Sequence, residues 1–72
     1  MNLAIVGATG NVGRKIIEVL ENKNLPIKNL YLLASSKSFG TKLVYKGKRL
    51  KVENLKNFDF SKVDITFFSA GG

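Results

Sequence analysis

The chain has 72 residues, twelve Lys plus Arg against five Asp plus Glu, a formal charge of +7, and neither cysteine nor histidine. Those absences exclude disulfides, thiolate nucleophiles, imidazole acid–base chemistry and Cys/His metal ligation within these residues. A unit of this size buries only about 60% of the surface its unfolded chain exposes, and the positive balance favours phosphate-bearing partners, nucleic acid included.

The opening residues have neither the charged n-region nor the long apolar h-region of a signal peptide, and no apolar run approaches membrane-spanning length, so a cytoplasmic protein without membrane association is expected. Leu3, Ala4, Ile5 and Val6 form a short apolar run without polar alternation, the pattern of a parallel strand covered on both faces. Gly7, Gly10 and Gly13 follow at once. A strand that ends in glycines and feeds a helix directs backbone N–H groups and the positive end of the helix dipole into a cleft, where phosphate is attracted. In pyrophosphate-binding turns the first glycine permits the tight turn, the second lets backbone approach the phosphates, and the last allows close helix–strand packing. The spacing here is one residue longer between the first two glycines than in the commonest dehydrogenase fingerprint.

From Asn11 to about Lys23, Val12, Ile16, Ile17, Val19 and Leu20 are expected mainly on one helical face, and Pro26 forbids continuation. Leu30 to Ala34 reads as a second strand, parallel to the first, completing a strand–helix–strand unit. The end of that strand discriminates between cofactors. An NAD site usually places Asp or Glu there for the ribose 2′-hydroxyl, whereas here Ser35, Ser36, Lys37 and Ser38 stand, and no acid occurs between Glu21 and Glu53. Hydroxyls and an ammonium suit a 2′-phosphate, so NADP(H) is the expected cofactor.

Residues 42–52 alternate apolar and basic side chains around Lys46-Gly47, a β-hairpin signature that puts Leu50 and Val52 inward and Arg49 and Lys51 in water. Tyr45 is the hairpin's one aromatic, whereas single-strand nucleic-acid platforms interleave several with their charges, so a solvated outer face is expected in preference to a nucleic-acid surface. Residues 54–62 read as an irregular polar segment anchored by Leu55, Phe58 and Phe60. Residues 63–68 read as a third core strand, with Phe67 and Phe68 as core residues, running into Ser69, Ala70, Gly71 and Gly72. Ligands of open α/β sheets sit at the carboxyl ends of the strands. The first strand is therefore expected between the other two, with residues 7–13, 35–38 and 69–72 lining one cleft. The fold class is α/β, a partial Rossmann-like, doubly wound parallel sheet with a β-hairpin insertion. With too little chain to cover both faces of that sheet, residues 1–72 read as the N-terminal part of a larger dinucleotide-binding domain.

Three blocks of the chain resemble the N-terminal cofactor-binding region of aspartate-β-semialdehyde dehydrogenase: residues 4–13 (AIVGATGNVG), residues 33–40 (LASSKSFG) and residues 63–71 (VDITFFSAG). Their order and spacing match that family along nearly the whole chain. The resemblance implies an NADP-dependent oxidoreductase that reversibly and reductively dephosphorylates β-aspartyl phosphate to aspartate semialdehyde, toward lysine, threonine and methionine, in a homo-oligomeric full-length protein. It implies Thr9, Gly10, Asn11 and Val12 at the pyrophosphate turn, Lys37 and Ser38 at the adenosine 2′-phosphate, and Ser69, Ala70 and Gly71 near the nicotinamide. Gly7, Gly13 and Ser35 complete the expected set. Lys37 stands where the family often has Arg, keeping the charge but losing the planar fork, and Phe39 replaces a usually small residue. The family's chemistry also needs a cysteine and a histidine, so the catalytic and dimerisation domain is expected outside these residues and the 72-residue chain alone is expected to be inactive. Two alternatives are an N-acetyl-glutamyl-phosphate reductase-like fragment and a small non-catalytic nucleotide- or nucleic-acid-binding module.

Overall fold

The structure is a computed structural model that describes residues 1–35 and 40–69. Strand β1 (Asn2–Val6) leads through the glycine turn into helix α1 (Asn11–Asn22), and β2 (Asn29–Ala34) returns parallel to β1. The hairpin strands β3 (Lys42–Tyr45) and β4 (Lys48–Lys51) follow, then the two-residue strand β5 (Glu53–Asn54), two 3₁₀ turns (Leu55–Asn57 and Phe60–Lys62), and β6 (Ile65–Phe68). The main sheet has the order β5-β2-β1-β6, all parallel, and β3 with β4 form a separate antiparallel pair. The first strand thus lies between β2 and β6, as the sequence led us to expect.

Leu3, Ala4 and Ile5 are all buried, which accounts for the absence of alternation in that run. Leu3, Ile5, Leu32 and Ala34 pack with Ile17 and Leu20 of α1 and with Val52. The pleat directs Tyr31 to the opposite face. There its ring lies 5.2 Å from Phe58, and Phe58 lies 5.0 Å from Phe60 in an edge-on contact.

The irregular segment expected over residues 54–62 instead opens with β5, paired to Leu33 and Ala34, and continues as the 3₁₀ turns. Asn54 and Asp59 start these turns by accepting the Lys56 and Ser61 amides through their side chains. Each is a local Asx bond that a polar segment of this composition readily forms.

The hairpin ends one residue earlier than expected, at Lys51, but its facing is as read: Val52 is buried, Leu50 is half-buried, and Arg49 and Lys51 are exposed. Lys46 and Gly47 both have positive φ, 49° and 79°, the requirement of a mirror-image two-residue turn. Its tip is tied to α1 by the Lys46 amide, which donates to Glu21 Oε2 at 2.8 Å.

Val12 and Val19 share the expected apolar face of α1 with Ile16 and Leu20 but are 52% and 41% exposed, because α1 turns Gly13, Ile17 and Leu20 to the sheet and sets these valines at the other edge of that stripe. Two core expectations differ from the structure. Among the described residues the third strand, expected in the core, borders the sheet: Ile65, Phe67 and Phe68 are exposed, Phe68 by 74%. With Val12, Val19 and Leu25, Phe67 lines an open apolar groove of about 550 Å³ beside α1. Phe60, also expected to anchor the core, is 39% exposed because it packs on Phe58 rather than on the sheet. Among the described residues no helix is long and apolar enough to cross a membrane.

Candidate functional site

Three carboxyl ends meet at one end of the sheet. The Gly7 and Ala8 amides both donate to the Leu33 carbonyl, at 2.9 and 3.1 Å, which ties the glycine turn to the end of β2. The Ser69 amide donates to the Val6 carbonyl at 3.0 Å, tying the same turn to the end of β6. Ser35 is exposed directly after β2. Gly7, Ser35 and Ser69 are therefore brought together as expected, while Lys37, Ser38, Ala70 and Gly71 lie outside the described residues.

Each glycine of the turn has its own reason. Gly7 takes φ +80°, a left-handed conformation, and a Cβ there would collide with the Ser69 hydroxyl. At Gly13 a Cβ would stand 2.7 Å from Ala8 Cα and overlap the Gly7 carbonyl, so its bare Cα is what lets α1 reach the strand. Gly10 differs from both. Its φ of −77° suits any residue, and the nearest atom to a Cβ there is the Gly7 carbonyl oxygen at an ordinary 3.5 Å.

Gly10 is also the N-cap of α1, and among the described residues no side chain caps that end. The first turn carries no acid. A helix start that lacks both of the usual internal ways of meeting its N–H groups has them directed at the cleft between the strand ends. Thr9 and Gly10 are half-exposed beside it, and Asn11 and Val12 are exposed. These residues suit an anion: backbone donors and the helix dipole supply the attraction, and Gly10 supplies the room.

Arg14 was not singled out from the sequence. Its Nε donates to the Thr9 carbonyl at 3.1 Å, bracing the turn from the helix side. The available signal was a cation in the first helical turn, where the dipole disfavours positive charge unless an anion is near.

The far end of the sheet is closed by its own polar groups. The Asn2 amide donates to Asp64 Oδ2 at 2.7 Å, the Asn2 side chain donates to the Lys62 carbonyl at 3.0 Å, and Asn29 Nδ2 donates to Asn2 Oδ1 at 3.2 Å. A larger open groove, about 970 Å³, runs between the hairpin and the 3₁₀ segment, but it includes no residue of the glycine turn and neither Ser35 nor Ser69. Lys42, Lys46, Lys48, Arg49 and Lys51 of the hairpin are exposed, while Tyr45 is half-buried against the core with Lys46 Nζ 5.7 Å over its ring. That leaves the hairpin without a freely offered stacking ring. Among the described residues no group of three or more acidic side chains gathers as a metal site would require.

The comparisons with known proteins agree with this geometry. Aspartate-semialdehyde dehydrogenase of Legionella pneumophila is 56% identical over the whole chain, which spans 21% of that protein. The USG-1 protein homolog of Azotobacter vinelandii is 46% identical over 99% of the chain and 21% of its own length. The crystal structure of aspartate semialdehyde dehydrogenase II from Vibrio cholerae, complexed with ASA, superposes with a TM-score of 0.92 at 48% identity, over 99% of this chain and 24% of that one. The chain thus spans about a fifth of the length of the curated relatives it matches. The family profile described as semialdehyde dehydrogenase, NAD binding domain, matches residues 2–72, and with the glycine turn, the strand order and these relatives in agreement, the chain belongs to that family.

Proposed function

We propose that the chain forms the pyrophosphate-facing part of an NADP(H) site in an aspartate-semialdehyde dehydrogenase, which interconverts β-aspartyl phosphate and aspartate semialdehyde with release or uptake of phosphate. The observation that carries this reading is the uncapped, acid-free start of α1 at Gly10, framed by the carboxyl ends of β1, β2 and β6. The Gly10, Asn11 and Val12 backbone meets the pyrophosphate, Gly7 and Gly13 hold that backbone in place, and Thr9 borders it. Ser35, Lys37 and Ser38 receive the adenosine 2′-phosphate, supported by the hydroxyl and ammonium chemistry of that stretch and by its lack of an acid. Ser69, Ala70 and Gly71 close the nicotinamide side. The cofactor, when bound, supplies hydride to the acyl substrate. The thiol and imidazole chemistry belongs to residues outside these 72, and the chain by itself turns over nothing.

The test is a pair of titrations. The fluorescence of the reduced cofactor, excited at wavelengths where aromatic side chains do not absorb, reports binding. NADPH should bind at least tenfold more tightly than NADH, and equal affinities would remove the role given to Ser35, Lys37 and Ser38. Gly10→Asp separates ligand from fold. Its carboxylate caps α1 and raises stability by about 0.5–1 kcal/mol, yet it occupies the anion's place and should abolish binding of either cofactor. Undiminished binding by Gly10→Asp would refute the site. A second reading is a non-catalytic nucleotide-binding module of the same fold, favoured by the lack of cysteine and histidine in these 72 residues. Cofactor binding by a full-length protein that yields no semialdehyde-dependent reduction would select it.

A further inference from the structure

Among the described residues Ser69 is the one buried polar side chain. Its hydroxyl does not open toward the cleft. It donates in a fork to two backbone carbonyls of the neighbouring strand end, Val6 at 2.9 Å and Gly7 at 3.0 Å. The Gly7 carbonyl is the pivot of the turn, since it also accepts the Gly10 amide at 3.1 Å, and the bare Cα of Gly13 packs against it. The fit is reciprocal: a Cβ on Gly7 would occupy the position of the Ser69 hydroxyl. One side chain directly after β6 therefore fixes the carbonyl on which the approach to α1 turns.

We propose that Ser69 is a positioning residue. Its hydroxyl latches the glycine turn to β6 and so sets where the Gly10–Val12 backbone is presented to the pyrophosphate. This rests on the cofactor site proposed above, but it assigns Ser69 a different role from direct contact with the nicotinamide side. Loss of the hydroxyl orphans nothing in the backbone, because Val6 keeps the Ser69 amide and Gly7 keeps the Gly10 amide as donors. The Ser69→Ala protein therefore folds, and its defect lies in the freedom of the turn.

Two readouts on the wild-type and Ser69→Ala chains decide the matter. In the free protein, hydrogen exchange at the Gly10 amide should accelerate roughly tenfold, the worth of about one net hydrogen bond, while exchange in the middle of β1 and β2 stays unchanged. NADPH affinity should fall by roughly tenfold as well. Ser69→Cys, which retains a weaker donor, should lie between the two and serves if the alanine chain does not fold. Weaker NADPH binding with unaltered Gly10 exchange would overturn the latch in favour of direct contact, and no change in either readout would overturn it outright. Should wild type bind neither NADPH nor NADH while Ser69→Ala still frees Gly10, the latch stands and the cofactor site falls.

Discussion

Gly13→Ala is a substitution for which two rules predict opposite signs. Gly13 sits in helical backbone, where alanine is favoured by about 0.8–1 kcal/mol, so propensity alone predicts a more stable protein. The structure predicts the reverse. The added Cβ would lie 2.7 Å from Ala8 Cα and 2.9 Å from the Ala8 carbonyl carbon, both backbone atoms that cannot rotate away. Relieving the Ala8 contact alone requires a separation of roughly 0.7 Å (3.4 − 2.7) between the start of α1 and the turn, and the overlap with the Gly7 carbonyl requires more. Overpacking costs about 1–3 kcal/mol, and simultaneous clashes with the Gly7 and Ala8 backbone put it in the upper part of that range, about 2–3, so subtracting the propensity gain leaves a net loss of about 1–2 kcal/mol. With a urea slope on the order of 1 kcal/mol per M for a chain this small, the midpoint followed by far-ultraviolet circular dichroism should fall by about 1–2 M. A midpoint equal to or above wild type would show that the strand–helix approach does not depend on the absent Cβ.

Three further outcomes follow from the same geometry. Gly47→Ala meets no atom within 4 Å yet keeps φ at +79°, so it should destabilise by about 1–2 kcal/mol through backbone strain alone, read by thermal unfolding. Val52→Ala empties a fully buried site between hairpin and sheet; a loss of about 2 kcal/mol in chemical denaturation is expected, and less than about 0.5 would show that the hairpin does not depend on this anchor. The Asp59 carboxyl is held below its ordinary value, first by the Ser61 hydroxyl, then by the Ser61 amide, with Lys62 adding to both and slight desolvation opposing them. Because the folded pKa is the lower one, the turn gains stability above the unfolded aspartate range and loses it as pH falls through the folded value. Carboxyl titration by NMR should place Asp59 below an unfolded-peptide reference, and Ser61→Ala should raise it.

The parts of the fold that were legible are those where pattern and packing coincide. Residues 3–6 lack alternation because both faces of β1 are covered, and Gly7, Gly10 and Gly13 announce a turn whose geometry then requires two of them. Strand β5 was invisible because two residues carry no periodicity, and only their pairing with Leu33 and Ala34 makes them a strand. Phe67 and Phe68 look like core from composition, but hydrophobicity says nothing about whether a strand lies inside or at the edge of a sheet. At the site, the glycine turn proposed to hold the anion could be read from residue types. The inward use of the Ser69 hydroxyl and the Arg14 brace could not, since both depend on carbonyl positions that only the folded backbone defines.

The pairing of β6 with β1 carries a kinetic consequence. Leu3 meets Leu30 across 27 residues (30 − 3) but meets Ile65 across 62 (65 − 3). Closing the longer loop costs about 0.7 kcal/mol more by (3/2)RT ln(62/27), and β6 brings less burial to repay it, because Ile65, Phe67 and Phe68 stay exposed. The β1–α1–β2 unit is thus the entropically favoured nucleus, and β6 docks onto it. Ser69 directly follows β6, so the glycine turn is formed early but held in place late.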